Sequence, residues 1–485
     1  MTPGQARLTI VAAVLGSITV FVDATVVNVA LPAISGDLGG GLAGQQWLSG
    51  AYLLTLGALL LVGGSLGDRY GRRAMFAAGL LAFGATSVLC AIAPTVETLV
   101  AARALQGAAG ALLVPNTLGL IVARFPPDAR GAAIGSWTAW SGIAMIVGPL
   151  VGGVLVDAVS WRWIFAINVV PVAAALAVVA RLDPEPGAGG AGRVDLAGAL
   201  LGTLGLAGPV FALIEQPSRG WGDPLILATL LGGLALLAAF AAVERRAREP
   251  MLPLGLFRER NFAVGNAATL AVYGGLGAVP FFLVLYLQQV AGYDALEAGL
   301  ASMPVTLLML ALSRRFGALA DRVGPRAFMG AGPVVAGAGI ALFARIDAEG
   351  RYLADVLPAV LLFGLGLSLT VAPLTAAVLG GVEERHAGMA SAINNAVARI
   401  GSLLAVAAIG ALVAARLGGG DPSFATAGVA GATAAFHLAM LVTAGLVALG
   451  GLLSAAGIEN PRRDVPCAEH APGATVGPTV AREAG

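Results

Sequence analysis

Two charged residues lie inside long apolar stretches in the first quarter of the chain. Asp23 interrupts an apolar stretch from about Leu8 to Leu31, and Arg103 falls within another that begins near Thr98. A charged side chain inside a membrane costs several kcal/mol unless it is neutral, paired or solvated. A carboxyl group in such a place can bind and release a proton. We therefore predict that Asp23 couples to protons, with a static ion pair or a hydrogen-bonded packing residue as the alternative.

Further polar side chains accompany these charges or lie in a later apolar stretch. Gln106 follows Arg103 by one turn on the same helical face, and we assign it to a substrate cavity. Arg103 either holds a polar network whose partners change with protonation or forms a permanent structural pair. Asn394, Asn395 and Arg399 share a broad face of one later stretch. We predict that this face lines the central cavity, with polar contacts between helices as the alternative.

Composition excludes an ordinary soluble protein. Of the 485 residues, 58% are hydrophobic and 11% are charged, whereas soluble domains carry about 25% charged residues. The formal charge is +1, so we expect no nucleic-acid partner. The two cysteines, Cys90 and Cys467, have neither disulfide nor metal-ligand spacing. Since no phosphate-binding loop, assembled nucleophile or metal cluster is recognisable, we expect no cofactor, no metal and no enzymatic activity.

Fourteen apolar windows approach or exceed the length that crosses a bilayer, which takes about 20 residues. They begin near Leu8, Trp47, Ala74, Thr98, Ala132, Trp163, Leu196, Leu225, Phe262, Ala298, Ala327, Leu353, Gly388 and Thr433. We predict an all-α polytopic membrane protein with two six-helix bundles. Residues 1–180 form the N-terminal bundle, 181–260 a linker with two extra transmembrane helices, 261–457 the C-terminal bundle and 458–485 a disordered cytoplasmic tail.

Arginines are distributed unevenly among the loops between these windows. Counted from an internal N-terminus, 17 arginines fall in cytoplasmic loops and 5 in outer loops. Loops rich in positive charge face the cytoplasm, and one miscounted span would scatter this asymmetry. We therefore expect a multi-pass protein of the cell membrane with both termini in the cytoplasm.

A ten-residue motif occurs twice, after the second span of each bundle. GSLGDRYGRR covers 64–73 and GALADRVGPR covers 317–326, which indicates two homologous bundles with a site between them. We predict that these loops are cytoplasmic gates, in which acids cap helices and arginines pair across the bundles. Their positive charge also sets the topology. The gate residues are Gly64, Asp68, Arg69, Gly71, Arg72, Arg73, Asp321 and Arg322.

A glycine-rich stretch, GIAMIVGPLVGG, covers 142–153. Gly148 and Gly152 form a pair of small residues that lets helices approach closely, and Pro149 removes a backbone hydrogen bond between them. We predict that these three residues and Gly153 form a packing surface rather than a ligand site. Asp157 follows near the end of the span, where we expect it to be solvated, with a role in the cavity as the alternative.

Taken together, these motifs resemble the major facilitator superfamily, and within it the fourteen-span drug:proton antiporters of the EmrB/QacA type. The resemblance covers about Ile10 to Leu453 and extends to FVDATVVNVALP (21–32), LVAARALQGAAGAL (99–112), WRWIFAIN (161–168) and RHAGMASAINNAVARIGS (385–402). It implies the major facilitator fold and a functional carboxylate in the first-helix D-x-T-x-x-N pattern, which is Asp23 here. We assign Asn28 of that pattern to the cavity.

The function that we predict is secondary active efflux. Small organic molecules such as drugs, antibiotics or secondary metabolites would leave in exchange for protons by alternating access. The expected partners are such a substrate, protons and the lipid bilayer, and we expect the chain to function as a monomer. A proton-coupled uptake symporter is one alternative, and a membrane sensor or scaffold on a transporter fold is another.

Overall fold

The computed structural model describes residues 2–183, 195–247, 250–380, 382, 387–418 and 423–460. Within these ranges, 14 helical segments are long and apolar enough to cross a membrane. The predicted all-α class and number of spans are confirmed. Because the number is even, the beginning of the first span and the end of the last lie on the same side of the bilayer. We call this side the terminal face and the other side the opposite face.

The spans divide into six, two and six. The first six are α1 (Pro3–Leu38), α2 (Gly41–Tyr70), α3 (Arg72–Ala91), α4 (Val96–Arg124), α5 (Pro127–Ala158) and α6 (Trp163–Ala180). The next two are α7 (Leu196–Arg219) and α8 (Pro224–Arg246). The last six are α9 (Arg260–Gln289), α10 (Ala295–Val323), α11 (Pro325–Arg345), α12 (Tyr352–Val378), α13 (Ala387–Leu417) and α14 (Val429–Gly457).

Several helices extend beyond the apolar windows seen in the sequence. α1 continues to Leu38 rather than ending near Leu31, because a helix can project into the interfacial region, where polar side chains such as Asp37 are solvated. At 1.5 Å per residue, Asp23 therefore lies about 22 Å from the end of its helix at the opposite face, whereas it lies about 12 Å from Leu31, where the apolar stretch ends.

The two copies of the repeated loop share one backbone feature. Gly71 joins α2 to α3 with φ of 93°, and Gly324 joins α10 to α11 with φ of 102°. Glycine adopts this left-handed region without the steric cost that other residues incur. The repeat therefore encodes the same sharp connection in both bundles.

Glycines allow close helix packing within the N-terminal bundle. A side chain at Gly63 in α2 would overlap the backbone of Ala111 in α4, and one at Gly107 in α4 would overlap the backbone of Tyr52. Such contacts let dispersion forces hold helices together in lipid, where no hydrophobic driving force acts between them. The α2–α4 contact fixes the wall beside which Arg103 lies.

The two extra helices pack on the outside of the bundles. Val210 and Ile214 of α7 form an apolar cluster with Leu54 of α2 and Leu403 of α13. The indole of Trp47 donates a hydrogen bond of 2.9 Å to the Glu215 carboxylate. α8 packs against α7, and most of its surface is exposed. α7 thus covers the line where α2 and α13, one from each bundle, meet.

The predicted tail is in part ordered. Ile458 is buried, Glu459 forms an ion pair of 2.7 Å with Arg260, and Asn460 accepts a hydrogen bond of 3.1 Å from the Arg326 N–H. The prediction of disorder from residue 458 is wrong for these three residues, because they bind polar groups at the terminal face. The rest of the tail, 461–485, lies outside the described residues, as does the linker segment 184–194.

Candidate functional site

A buried ion pair joins α1 to α4. Arg103 donates from Nη1 to Asp23 Oδ2 over 2.6 Å, and the two side chains are 2% and 0% exposed. The Arg103 Nε donates to the Leu48 carbonyl oxygen over 3.2 Å. The Arg103 guanidinium carbon lies 4.3 Å from the centre of the Tyr52 ring, a distance at which the ring attracts a cation. The intramembrane charge of Arg103 is therefore neutralised and hydrogen-bonded on several sides.

Amide and hydroxyl side chains complete this network around Asp23. Gln106 donates to Asp23 Oδ1 over 3.0 Å and to Ser87 Oγ over 2.9 Å, and its oxygen accepts from Arg103 over 2.5 Å. Asn168 donates to Asp23 Oδ1 over 2.9 Å. The network joins α1, α3, α4 and α6. Gln106, which we predicted to line the cavity, is fully buried in the network instead.

Asn168 is a member of the network that we did not predict as a site residue. α6 consists of two helical segments, Trp163–Ala166 and Val169–Ala180, and Asn168 lies at the interruption between them. That break places its amide beside the Asp23 carboxylate. The signal in the sequence was an amide inside an apolar run, since intramembrane polar side chains face the bundle interior.

The network can turn proton binding into a change of partner for Arg103. The ionised Asp23 accepts three hydrogen bonds from side chains. A proton on this carboxyl group would cancel the counter-charge of Arg103, and removing one partner of a buried ion pair costs about 3–5 kcal/mol. Arg103 must then gain another partner or reach water. Its side chain also borders a central cavity, so such a route exists.

A cavity of about 350 Å³ lies between the two bundles. It is bordered by α1, α2, α4 and α5 on one side and by α9, α10, α11, α12 and α13 on the other. Two of the predicted cavity residues, Asn28 and Arg399, lie in its wall. Its position between the bundles is that expected for the substrate site of a transporter with two repeats.

The other two asparagines predicted to line the cavity have different neighbours. Asn394 donates to Asn266 Oδ1 over 3.2 Å and to Thr269 Oγ1 over 2.8 Å, so it holds α13 against α9 within the C-terminal bundle. Asn395 donates to the Ser391 carbonyl of its own helix and is exposed. Asn394 therefore fits the alternative that we left open for this face, which is polar contact between helices.

Comparisons with known proteins identify the family. The sequence profile of the Major Facilitator Superfamily matches residues 13–406. The chain belongs to the major facilitator superfamily. It is similar to the puromycin resistance protein of Streptomyces alboniger, with 40% identity over 397 residues that cover 80% of this chain and 78% of that protein. It is also similar to the probable actinorhodin transporter of Streptomyces coelicolor, with 37% identity over 409 residues, covering 82% and 70% of the two chains.

A solved structure supports the fold. An auto-inhibited peptide transporter of the POT family matches with a TM-score of 0.68 and 16% identity, over 94% of this chain and 96% of that one. The major facilitator fold is thereby confirmed. Together with the family match, the spans make this chain a multi-pass membrane transport protein with a small-molecule substrate. The prediction that it is not an enzyme is confirmed by its family.

The glycine-rich motif of this superfamily member lies on α5, where two neighbouring helices approach it. A side chain at Gly148 would overlap Thr25 of α1, and one at Gly153 would overlap the backbone of Leu296 in α10. Gly152 faces Val26 of α1. Pro149 borders the cavity. The segment therefore packs α5 against α1 of its own bundle and against α10 of the other.

Asp157 joins the two bundles at the opposite face. Its carboxylate accepts hydrogen bonds from the backbone N–H groups of Ala295 and Leu296, over 3.2 and 2.9 Å. These groups begin α10, and an anion is favoured at a helix N-terminus. Asp157 is exposed, as we expected near the end of its span. Its partner lies in the other bundle and could not be seen in the sequence.

Two glutamines form further hydrogen bonds between the bundles. Gln288 of α9 donates to the Val29 carbonyl of α1 over 2.9 Å, and Gln46 of α2 donates to the Val406 carbonyl of α13 over 2.8 Å. All hydrogen bonds between the bundles that the described residues form, including those of Asp157, lie in the half of the protein near the opposite face. The bundles are therefore held together at that face.

The first repeated loop makes its contacts within the N-terminal bundle. Asp68 pairs with Arg72 over 2.9 Å, and its side chain is 64% exposed. Arg72 also donates to the Gly119 carbonyl of α4 over 2.9 Å, and Arg73 donates to the Val179 carbonyl at the end of α6 over 3.1 Å. These arginines brace α2 and α3 against the ends of α4 and α6.

The predicted pairing of arginines across the bundles is not formed in this conformation. Arg69, Asp321 and Arg322 are exposed at the terminal face. Within the described residues, no hydrogen bond or ion pair joins the loop of Gly64–Arg73 to that of Gly317–Arg326. Because the hydrogen bonds that hold the bundles together lie at the opposite face, they do not bring the two loops at the terminal face together. A gating role for these loops concerns another conformation and stays a prediction.

Proposed function

We propose that this chain is a secondary active exporter of small organic molecules in exchange for protons. The observation that carries the proposal is the Asp23–Arg103 pair, which lies in a buried network while Arg103 borders the cavity between the bundles. Ionisable residues inside a membrane protein indicate, by default, a functional site. The direction of transport follows from relatives whose names describe resistance or transport of antibiotics.

Alternating access supplies the cycle. With the cavity open to the outside, Asp23 takes up a proton and Arg103 changes its partner. With the cavity open to the cytoplasm, Asp23 releases the proton, the ion pair forms again, and the substrate-loaded protein reopens outward. In this scheme the present conformation, in which Asp157, Gln288 and Gln46 hold the opposite face together, faces the cytoplasm. The chain acts as a monomer because each one contains both bundles and the cavity between them.

The orientation in the cell membrane is part of the proposal. Arginines predominate in the loops of the terminal face, and positive loops are retained in the cytoplasm. Both termini are therefore assigned to the cytoplasm.

Labelling of single cysteines with an impermeant thiol reagent on intact cells tests this orientation. Cys90 and Cys467 are first replaced by serine, and a cysteine is then introduced at Gly222 or at Arg246. Labelling of Gly222→Cys alone is expected, and labelling of Arg246→Cys would reverse the topology.

Transport into proteoliposomes under an imposed pH gradient tests the activity. Vesicles with an acidic lumen should accumulate a substrate from a panel of cationic, neutral and anionic aromatic compounds, and a protonophore should abolish the accumulation. One proton crossing 100 mV provides about 2.3 kcal/mol, which corresponds to about fiftyfold accumulation. Accumulation in the same direction as proton flow would identify a symporter. Accumulation that does not depend on the gradient would refute proton coupling.

A further inference from the structure

Arg399 places a second guanidinium in the cavity wall. It lies on α13 and borders the cavity. Its Cβ packs closely against Gly57 of α2, where there is room only for a small residue. No carboxylate forms an ion pair with Arg399 within the part of the chain that the structure describes. Tyr52 and Tyr273 border the same cavity, and a phenol carries no negative charge at physiological pH. Arg399 thus differs from Arg103, which has Asp23.

The charge of the cavity wall follows from this difference. Arg103 and Arg399 are the charged residues that border the cavity, and no acidic residue of the described chain borders it. Asp23 does not border the cavity, but it neutralises the charge of Arg103 through their ion pair. With Asp23 ionised, one positive charge, that of Arg399, therefore remains uncompensated at the surface of the cavity.

An uncompensated guanidinium inside a membrane protein needs water or a counter-charge. Its planar fork of N–H donors matches the geometry of a carboxylate, to which it can donate two parallel hydrogen bonds. We propose that Arg399 binds an anionic group of the substrate. The substrate class is then organic anions, in which a carboxylate or an acidic phenol is attached to an apolar, aromatic framework. This inference rests on the proposed function of the cavity as the substrate site.

The rest of the wall fits such a framework. Phe281, Phe343 and Phe363 border the cavity together with the thioether of Met303, and these side chains suit aromatic rings. A volume of about 350 Å³ is at the lower end of the range for small-molecule sites, about 300–1,000 Å³. Asn28 offers an amide on the opposing helix α1 for a carbonyl or hydroxyl group.

The same wall disfavours a cationic substrate. A cation in the cavity would meet the positive charge of Arg399 without an acidic side chain to receive it, and repulsive contacts set specificity as much as attractive ones do. The charge of the preferred substrate therefore distinguishes this inference from the alternative that the protein exports lipophilic cations. A neutral compound of the same shape should fall between the two.

Binding to the purified full-length protein in detergent tests the inference. The probes are 2-naphthoate, its methyl ester and 2-naphthylmethylammonium, which share one ring system and differ in charge. We expect the wild-type protein to bind the carboxylate at least about tenfold more tightly than the ester, because hydrogen bonds to charged groups are the stronger ones. Arg399→Gln should reduce this ratio to about one, and Arg399→Lys should retain part of it.

A matched control lies on the same helix. Arg416 is exposed in the last turn of α13, so Arg416→Gln removes an equal charge and should leave the ratio unchanged. The inference is overturned if Arg399→Gln keeps the preference, or if the wild-type protein binds the ester or the ammonium as tightly as the carboxylate. The readout needs no gradient. A binding preference without proton-driven transport would refute the proposed coupling and leave the role of Arg399 intact.

Discussion

Replacing Asp23 by asparagine removes the ionisable group of the buried pair and keeps the size of the side chain. The asparagine oxygen can still accept from Gln106 or Asn168, which now donate to Asp23 Oδ1 over 3.0 and 2.9 Å. Arg103, now 2.6 Å from Asp23 Oδ2, would lose its counter-charge. Breaking one side of a buried ion pair costs about 3–5 kcal/mol of stability. We therefore expect a protein that folds with a lower melting temperature and cannot exchange a proton at this position.

The transport consequence is the loss of gradient-driven accumulation. One coupled proton supports about fiftyfold accumulation per 100 mV, and Asp23→Asn should reduce the accumulation ratio in proteoliposomes to about one. Exchange of labelled for unlabelled substrate without a gradient should continue. The matched control is Asp37→Asn on the same helix, because Asp37 pairs with Arg162 at the opposite face and its side chain is 47% exposed. That change should leave accumulation intact, since exposed pairs contribute about 0–1 kcal/mol.

A double variant separates stability from coupling. Asp23→Asn combined with Arg103→Gln removes both charges, and replacing both partners of a buried pair costs less than removing one. The melting temperature should rise above that of Asp23→Asn alone, while gradient-driven accumulation stays absent. If Asp23→Asn accumulates substrate against its gradient as the wild-type protein does, proton coupling lies elsewhere and the pair is structural.

Three further predictions concern the faces of the protein and its helix packing. Asp157→Asn should weaken the contact to the start of α10 by about 1 kcal/mol and raise labelling of a cysteine in the cavity from the opposite face about fivefold. The control Asp294→Asn removes the charge of a cap on α10 that lies within the C-terminal bundle itself, so it should not raise the labelling, and equal labelling in both variants would contradict a role in closure. Asp68→Asn loses an exposed pair and should lower transport rates while expression and binding stay near wild type; unchanged rates would remove the gating role. Gly63→Ala should lower the melting temperature in detergent because its Cβ would overlap α4, whereas Gly64→Ala has room; equal effects would contradict the packing argument.

The number of spans could be predicted from the sequence because each span is an apolar run of about 20 residues, a strong local signal. The ends of the helices could not, as α1 shows by continuing to Leu38. Hydropathy marks where the chain is apolar, and a helix persists beyond that into the interface. The repeated glycine at the sharp connection was visible as a motif, and its left-handed backbone explains why the same residue recurs.

Only the charged residues of the buried network could be predicted from the sequence. Asp23 and Arg103 stand out because each lies in an apolar run, but their partnership joins residues 80 positions apart, and no local pattern gives it. The face assigned to α13 shows the limit of helical periodicity. Asn394 and Arg399 are five residues apart, which is about 140° around a helix. Arg399 therefore borders the cavity while Asn394 turns toward α9.

Asp23 and Arg399 together determine the charge that one transport cycle moves. When one proton enters and one organic anion leaves, two positive charges move inward, whereas export of the neutral ester moves one. A membrane potential of 100 mV then contributes about 4.6 kcal/mol for the carboxylate and about 2.3 kcal/mol for the ester. Currents recorded from proteoliposomes on a solid support and divided by substrate flux should therefore be about twice as large for 2-naphthoate as for its methyl ester. Equal values would mean that the carboxylate crosses with a compensating proton, and the exchange of one proton for one anion would then be refuted.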